Sequence, residues 1–137
     1  MFNKFSLFLL RLSMGWMFFY AGITKVLDPS WTSAGYIKGA KLLPQFYAFM
    51  LQPNILPVVD LLNKWGLTLI GLSLIIGVLT RISIPLAILL MILYYIPILQ
   101  FPYPNPHSYI VDEHIIYIMA LLVMYTSRAD KVWGFGK

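Results

Sequence analysis

Three consecutive ionisable residues, Asp112, Glu113 and His114, stand at the mouth of an apolar run that continues through Ile115, Ile116 and Tyr117 to about residue 126. An imidazole beside carboxylates and a phenol is suited to moving a proton or to hydrogen-bonding a ring carbonyl. Polar groups inside a greasy segment are costly and tend to be functional. The blander reading is that His114 ties a helix end to its neighbour. A metal site built from Asp112, Glu113, His114 and Asp60 competes poorly, because consecutive helical residues point in different directions. His107 and His114 are seven positions apart at the start of one segment, so they cannot clasp a haem from opposite sides.

The surrounding chain sets the context for that trio. Its 137 residues are 60% hydrophobic and only 11% charged, with a mean hydropathy of +0.78, which is not the balance of a soluble domain. Apolar runs at about 5–27, 57–79, 82–101 and 109–126 each approach the ~20 residues that cross a ~30 Å hydrocarbon core. The sequence therefore predicts an all-α integral membrane four-helix bundle as a single domain. The first run lacks a small-residue cleavage site and reads as a retained helix rather than a removable signal. Absence of cysteine removes disulfides, thiolate metal sites and covalent c-type haem attachment. A net charge of +5 belongs to lipid headgroups and topology rather than to nucleic acid.

Counting basic residues in the short flanks places Lys4, Arg81, Arg128, Lys131 and Lys137 on one side and Lys38 and Lys41 on the other. The excess predicts both termini in the cytoplasm of a cell with the bundle in its plasma or inner membrane. The acidic trio then lies at the outer surface with Lys25, Asp60 and Lys64. The outer loop, about 28–56, is long and aromatic, and is expected to rest on the membrane as short interfacial helices. Ser30 or Thr32 is the expected cap of one such helix, and Pro44 the expected start of another. This loop serves either as an aromatic belt or as a lid over an outer site. Between the third and fourth helices, Pro102, Pro104 and Pro106 predict an extended, non-helical link.

Helix faces add positions to this outline. Arg11, Gly15, Phe18, Gly22 and Lys25 form one stripe, and Asp60, Asn63, Gly66, Ile70, Ser73 and Gly77 another. Glycine-lined stripes let membrane helices approach closely, so the two are expected to pack together. That would bring Lys25 to Asp60 and Asn63, with Asp112, Glu113 and His114 at the same depth, and Lys25 is expected to form a salt bridge with Asp60, Asp112 or Glu113. Arg11 sits ~21 Å away along its helix and is expected to snorkel to phosphate or to meet Asp130. Tyr94, Tyr95 and Trp16 are candidates for stacking on an aromatic headgroup.

Taken in order, Arg11-x-x-x-Gly15, Gly22-x-x-Lys25, Trp31-Thr32-Ser33-Ala34-Gly35-Tyr36, Asn63-x-x-Gly66, Ile70-Gly71, Gly77, Thr80-Arg81 and Asp112-x-His114-Ile115-Ile116-Tyr117 resemble the DoxX/DoxD family. The likeness is nearest to DoxD, the large membrane subunit of thiosulfate:quinone oxidoreductase. The resemblance implies a four-helix membrane bundle with a quinone as a non-covalent ligand. It further implies that Lys25, with Lys64, attracts a thiosulfate dianion beneath the loop carrying Trp31 and Tyr36. His114, with Glu113 or Asp112, would manage quinone protons beside Tyr117. Electrons would pass either by direct transfer or through other membrane or redox subunits. The competing reading is a non-catalytic accessory subunit docked on a larger membrane complex, with Arg11, Gly15, Gly22, Gly66, Gly77 and Arg81 serving structure alone.

Overall fold

A computed structural model describes residues 2–40, 43–99 and 102–128. Lys41, Asp130, Lys131 and Lys137, used in the orientation and pairing expectations, lie outside the described residues. The described residues form six helices: α1 Phe2–Val26, α2 Ala34–Lys38, α3 Pro44–Phe49, α4 Leu56–Ile76, α5 Thr80–Ile98 and α6 Glu113–Thr126. No strand occurs among the described residues. α1, α4 and α5 are each long and apolar enough to cross a membrane, and α6 completes a four-helix bundle by packing against α5 and α1.

α6 is shorter than the apolar run that encodes it. Its 14 residues rise only ~21 Å at about 1.5 Å per residue. The helix cannot begin at Tyr109, because Ile110 takes a left-handed backbone with φ 60°. Asp112 then caps the helix in an extended conformation, accepting from the backbone N–H of His114 and Ile115 at 2.9 and 3.4 Å. The proline-rich link is non-helical as expected, but it folds into a turn bridged between Asn105 and Ser108 rather than running extended. Asn105 explains this, since its side chain accepts from the His107 N–H at 2.8 Å and favours a local turn.

The closest helix contact is α1 against α4. A Cβ at Gly22 would lie 2.3 Å from the Thr68 amide nitrogen, and one at Gly71 2.3 Å from that of Phe19. Gly15 is nearly as tight against Leu74 and Ile75. The Thr68 hydroxyl lies in the same contact, 2.4 Å from the would-be Cβ of Gly22, and donates back to the Lys64 carbonyl at 2.7 Å. The α1 stripe therefore faces protein as expected, but its partner on α4 is the Thr68, Gly71 and Leu74 face. Gly66 has no atom within 4 Å of its would-be Cβ, and Asn63 and Ser73 turn toward α5 instead. Glycines on both helices set the register, because at Gly22 and Gly71 alike the missing side chain lets backbone meet backbone. Gly77 serves differently: at φ 83° it ends α4 in the left-handed conformation.

Arg11 is fully buried, donating to the Leu74 carbonyl at 2.7 Å and the Ile75 carbonyl at 3.1 Å. It does not snorkel. Its charge sits on the carbonyl end of α4, where orphan acceptors and the helix dipole both favour a cation. Arg81 repeats the device at the end of α6, donating to the Tyr125 carbonyl at 3.2 Å while lying 4.3 Å from that ring's centre.

Substitution tests this packing. Gly22→Ala and Gly71→Ala should each lower thermal stability in detergent by about 1–3 kcal/mol, the usual cost of overpacking. Gly66→Ala should be neutral or stabilising by up to ~1 kcal/mol through helix propensity. Equal effects at all three positions would contradict the described face.

Candidate functional site

The site is built at the end of the bundle where α1 and α5 finish and α4 and α6 begin. Asp112 has one carboxylate oxygen on the first N–H groups of α6 and the other 2.9 Å from Nδ1 of His114. A single buried acid thus starts the helix and fixes the plane of the imidazole. Rings of Tyr95 and Tyr117 stand edge-on to His114 at centroid distances of 6.5 and 6.4 Å. The Tyr95 hydroxyl in turn donates to the Ile110 carbonyl, bracing the irregular entry to α6.

His114 opens on a cavity of about 250 Å³ within the bundle, shared with Glu113 and Tyr117 from α6, Met17 and Phe18 from α1, and Met91 from α5. Ligand pockets for drug-sized molecules run ~300–1,000 Å³, so this one matches a single substituted ring. Its polar groups cluster at the α6 side and the remaining wall is apolar. Among the described residues no three His, Asp or Glu side chains converge as a metal site.

The expected outer cluster is divided in two. Asn63 belongs with the site, because its side-chain oxygen accepts from the hydroxyl of Tyr94, which lines the same cavity. Asp60 does not. Its carboxylate accepts from the Ser33 amide at 2.9 Å, the Ser33 hydroxyl at 2.6 Å and the Thr32 hydroxyl at 2.7 Å. Asp60 is therefore the anchor of the outer loop. The cap of α2 is Ser33 rather than Ser30 or Thr32, with its hydroxyl committed to Asp60. Ser30 instead donates to Asp28, and these bonds hold the exposed Asp28 carboxyl below the usual carboxylate range. Pro44 opens α3 as expected.

Lys25 forms no ion pair with Asp60, Asp112 or Glu113. Its ammonium donates to the Ala21 carbonyl at 2.9 Å and lies 5.4 Å from the centre of the Trp31 ring. Carbonyl and aromatic face replace the carboxylate because Asp60 is already saturated by the loop. Lys64 sits one turn beyond Asp60 on α4. Trp16 projects outward at 59% exposure, against Phe19 and Tyr20 of its own helix.

The loop is latched to α5 by two tyrosines. Pro97 has no N–H, so the carbonyl of Leu93 four residues earlier loses its helical donor. The Tyr47 hydroxyl fills that vacancy at 2.8 Å, and Tyr36 donates to the adjacent carbonyl of Tyr94. Tyr36 and Tyr94 also meet edge to face at 5.7 Å. Burial pushes both loop phenols up to about 12, aided for Tyr36 by Tyr47 and by the negative charges of Asp112 and Glu113. Sequence reasoning named Tyr36 but missed Tyr47 and the role of Tyr94. The available signal was a proline late in an apolar helix together with phenols that must find partners when buried.

The latch has a defined pH dependence. Both phenols are neutral donors in the folded state and their values are raised above the ordinary ~10. Their contribution is therefore complete below pH ~10 and is lost as pH rises toward about 12. Proteolysis within the outer loop should accelerate over that window. Tyr47→Phe should produce the same susceptibility at neutral pH, at a cost of about 0.5–1.5 kcal/mol for the lost hydrogen bond. A loop that stays protected through pH 12 in the wild type would contradict the latch.

Comparison with curated proteins and with solved structures gives no significant match. Comparison with protein families matches residues 6–99 to the DoxX family. The matched region covers α1 through α5, including the glycine contacts, the Asp60-anchored loop and the proline-opened rung, and stops before α6. With three helices able to cross a bilayer and a match over more than half its length, this multi-pass membrane protein belongs to the DoxX family.

Proposed function

We propose that the chain is the quinone-linked component of a DoxD-type membrane oxidoreductase oxidising thiosulfate or a related sulfur anion. The observation that carries this reading is the Asp112-oriented His114 opening on an apolar cavity of single-ring size. Reduction of a quinone consumes two electrons and two protons. Oxidation of two thiosulfate dianions to tetrathionate forms one S–S bond and releases two electrons. In this scheme His114 and Tyr117 hydrogen-bond the ring oxygens, and Glu113, exposed at the cavity mouth, relays protons from outside. Asp112 positions the imidazole. The electrons arrive from a partner subunit.

Lys25 and Lys64 supply positive charge at the same end of the bundle, and the loop held by Asp60, Tyr36 and Tyr47 covers that end. Their placement supports anion capture there. Orientation follows from the basic flanks: Lys4, Arg81 and Arg128 mark the α4–α5 turn end as cytoplasmic, leaving the His114 end outside in a plasma or inner membrane.

The short α6 favours a second reading. A helix rising only ~21 Å leaves a crossing incomplete by itself, as expected of a subunit whose fourth helix docks on a larger complex.

Quinone-analogue binding to the purified protein in nanodiscs separates the two. His114→Gln should weaken binding by about tenfold, or ~1.4 kcal/mol, with thermal stability retained. Unchanged affinity in a folded His114→Gln protein would overturn the quinone site and leave the accessory reading.

A further inference from the structure

A second cavity, of about 150 Å³, lies beneath the outer loop between α2, α3, α4 and α5. Ile37, Tyr47, Met50, Val59, Leu62 and Leu93 supply much of its wall. The polar side chains around it already have partners. Ser33 is held by Asp60, Tyr47 by the Leu93 carbonyl, Tyr36 by the Tyr94 carbonyl, and Tyr94 by Asn63, whose amide donates to Val59 at 2.8 Å. What remains facing the interior is hydrocarbon. An apolar cavity of ~150 Å³ stays dry and accepts a small apolar ligand. Leu62, although part of the wall, is 61% exposed on the outer surface of the bundle. The cavity therefore opens sideways, toward the bilayer, and not along the bundle axis. Tyr94 lines both this cavity and the one containing His114.

We propose that this cavity binds a single hydrocarbon chain of a bilayer lipid, admitted beside Leu62 and roofed by the latched loop. A polar occupant would find the hydroxyl donors of Ser33, Tyr36, Tyr47 and Tyr94 already committed. A protein helix is too wide to pass beneath a roof formed by α2 and α3. The chain's chemistry is shared by the isoprenoid tail of a quinone and the acyl tail of a phospholipid. The site does not depend on the redox reading, since it involves neither His114 nor any proton.

Photolabelling of the full chain in nanodiscs tests the proposal, using a phosphatidylcholine with a diazirine at one acyl terminus and a diazirine-bearing polyprenol. Label is expected on peptides containing Met50, Leu62 and Leu93, with a several-fold loss in Val59→Phe, which fills the cavity, and in Leu62→Trp, which obstructs its mouth. Labelling of the outward Leu69 should not change. The unlabelled lipid that competes best identifies the natural chain. Label confined to outward residues such as Leu61 and Leu69 would overturn the proposal. So would cavity labelling that survives both substitutions, and either folded variant suffices for the comparison.

Discussion

Backbone N–H and C=O groups within a bilayer have no water to turn to, so each must be matched inside the protein. That constraint accounts for several of the polar side chains at the helix ends. Arg11 serves the last carbonyls of α4 and Arg81 the end of α6. Asp112 serves the first amides of α6, and Tyr47 serves the carbonyl that Pro97 abandons in α5. Ser73 bonds to the Val78 carbonyl in the turn between α4 and α5 and to Ser83. The tightest helix approach, α1 on α4, comes where glycine removes the Cβ. Packing and polar repair are thus two halves of one solution.

A small remainder is left for chemistry. The carboxylate of Asp112 performs two tasks, and the imidazole it orients has its remaining edge toward a cavity rather than toward a helix end. Glu113 and Tyr117 share that cavity without capping anything. This contrast argues for the His114 region as the functional centre more strongly than its residue types alone, since the same types elsewhere in the bundle are absorbed by structure. Tyr94 links the centre to the loop: it is bonded to Asn63, carries the carbonyl that receives Tyr36, and lines both cavities.

Hydropathy made the helices legible, and small-residue spacing made the α1 face legible. The partner face on α4 was not, because a stripe counted by polarity favours Asn63 and Gly66, whereas on α4 it is Gly71 that lies against the α1 backbone. The Asp112 motif is visible in the sequence as adjacent ionisable residues, but its double use as cap and orienter depends on the extended backbone at that residue. Lys25 was paired with acids on grounds of burial cost. Asp60 had already been claimed by Thr32 and Ser33, a competition between partners 27 and 28 residues away that spacing does not reveal. Arg11 was assigned to lipid phosphate because the free carbonyls of Leu74 and Ile75 belong to another helix's end, 63 and 64 positions distant.

The central claim is that His114 is the polar group reserved for a ligand. The chain holds two histidines, one in the exposed link and one at the cavity, so nitrogen NMR of histidine-labelled protein reads them separately. On addition of a quinone analogue, the ring resonances of His114 should shift while those of His107 stay in place. Resonances of both residues unmoved at saturating analogue would contradict the account.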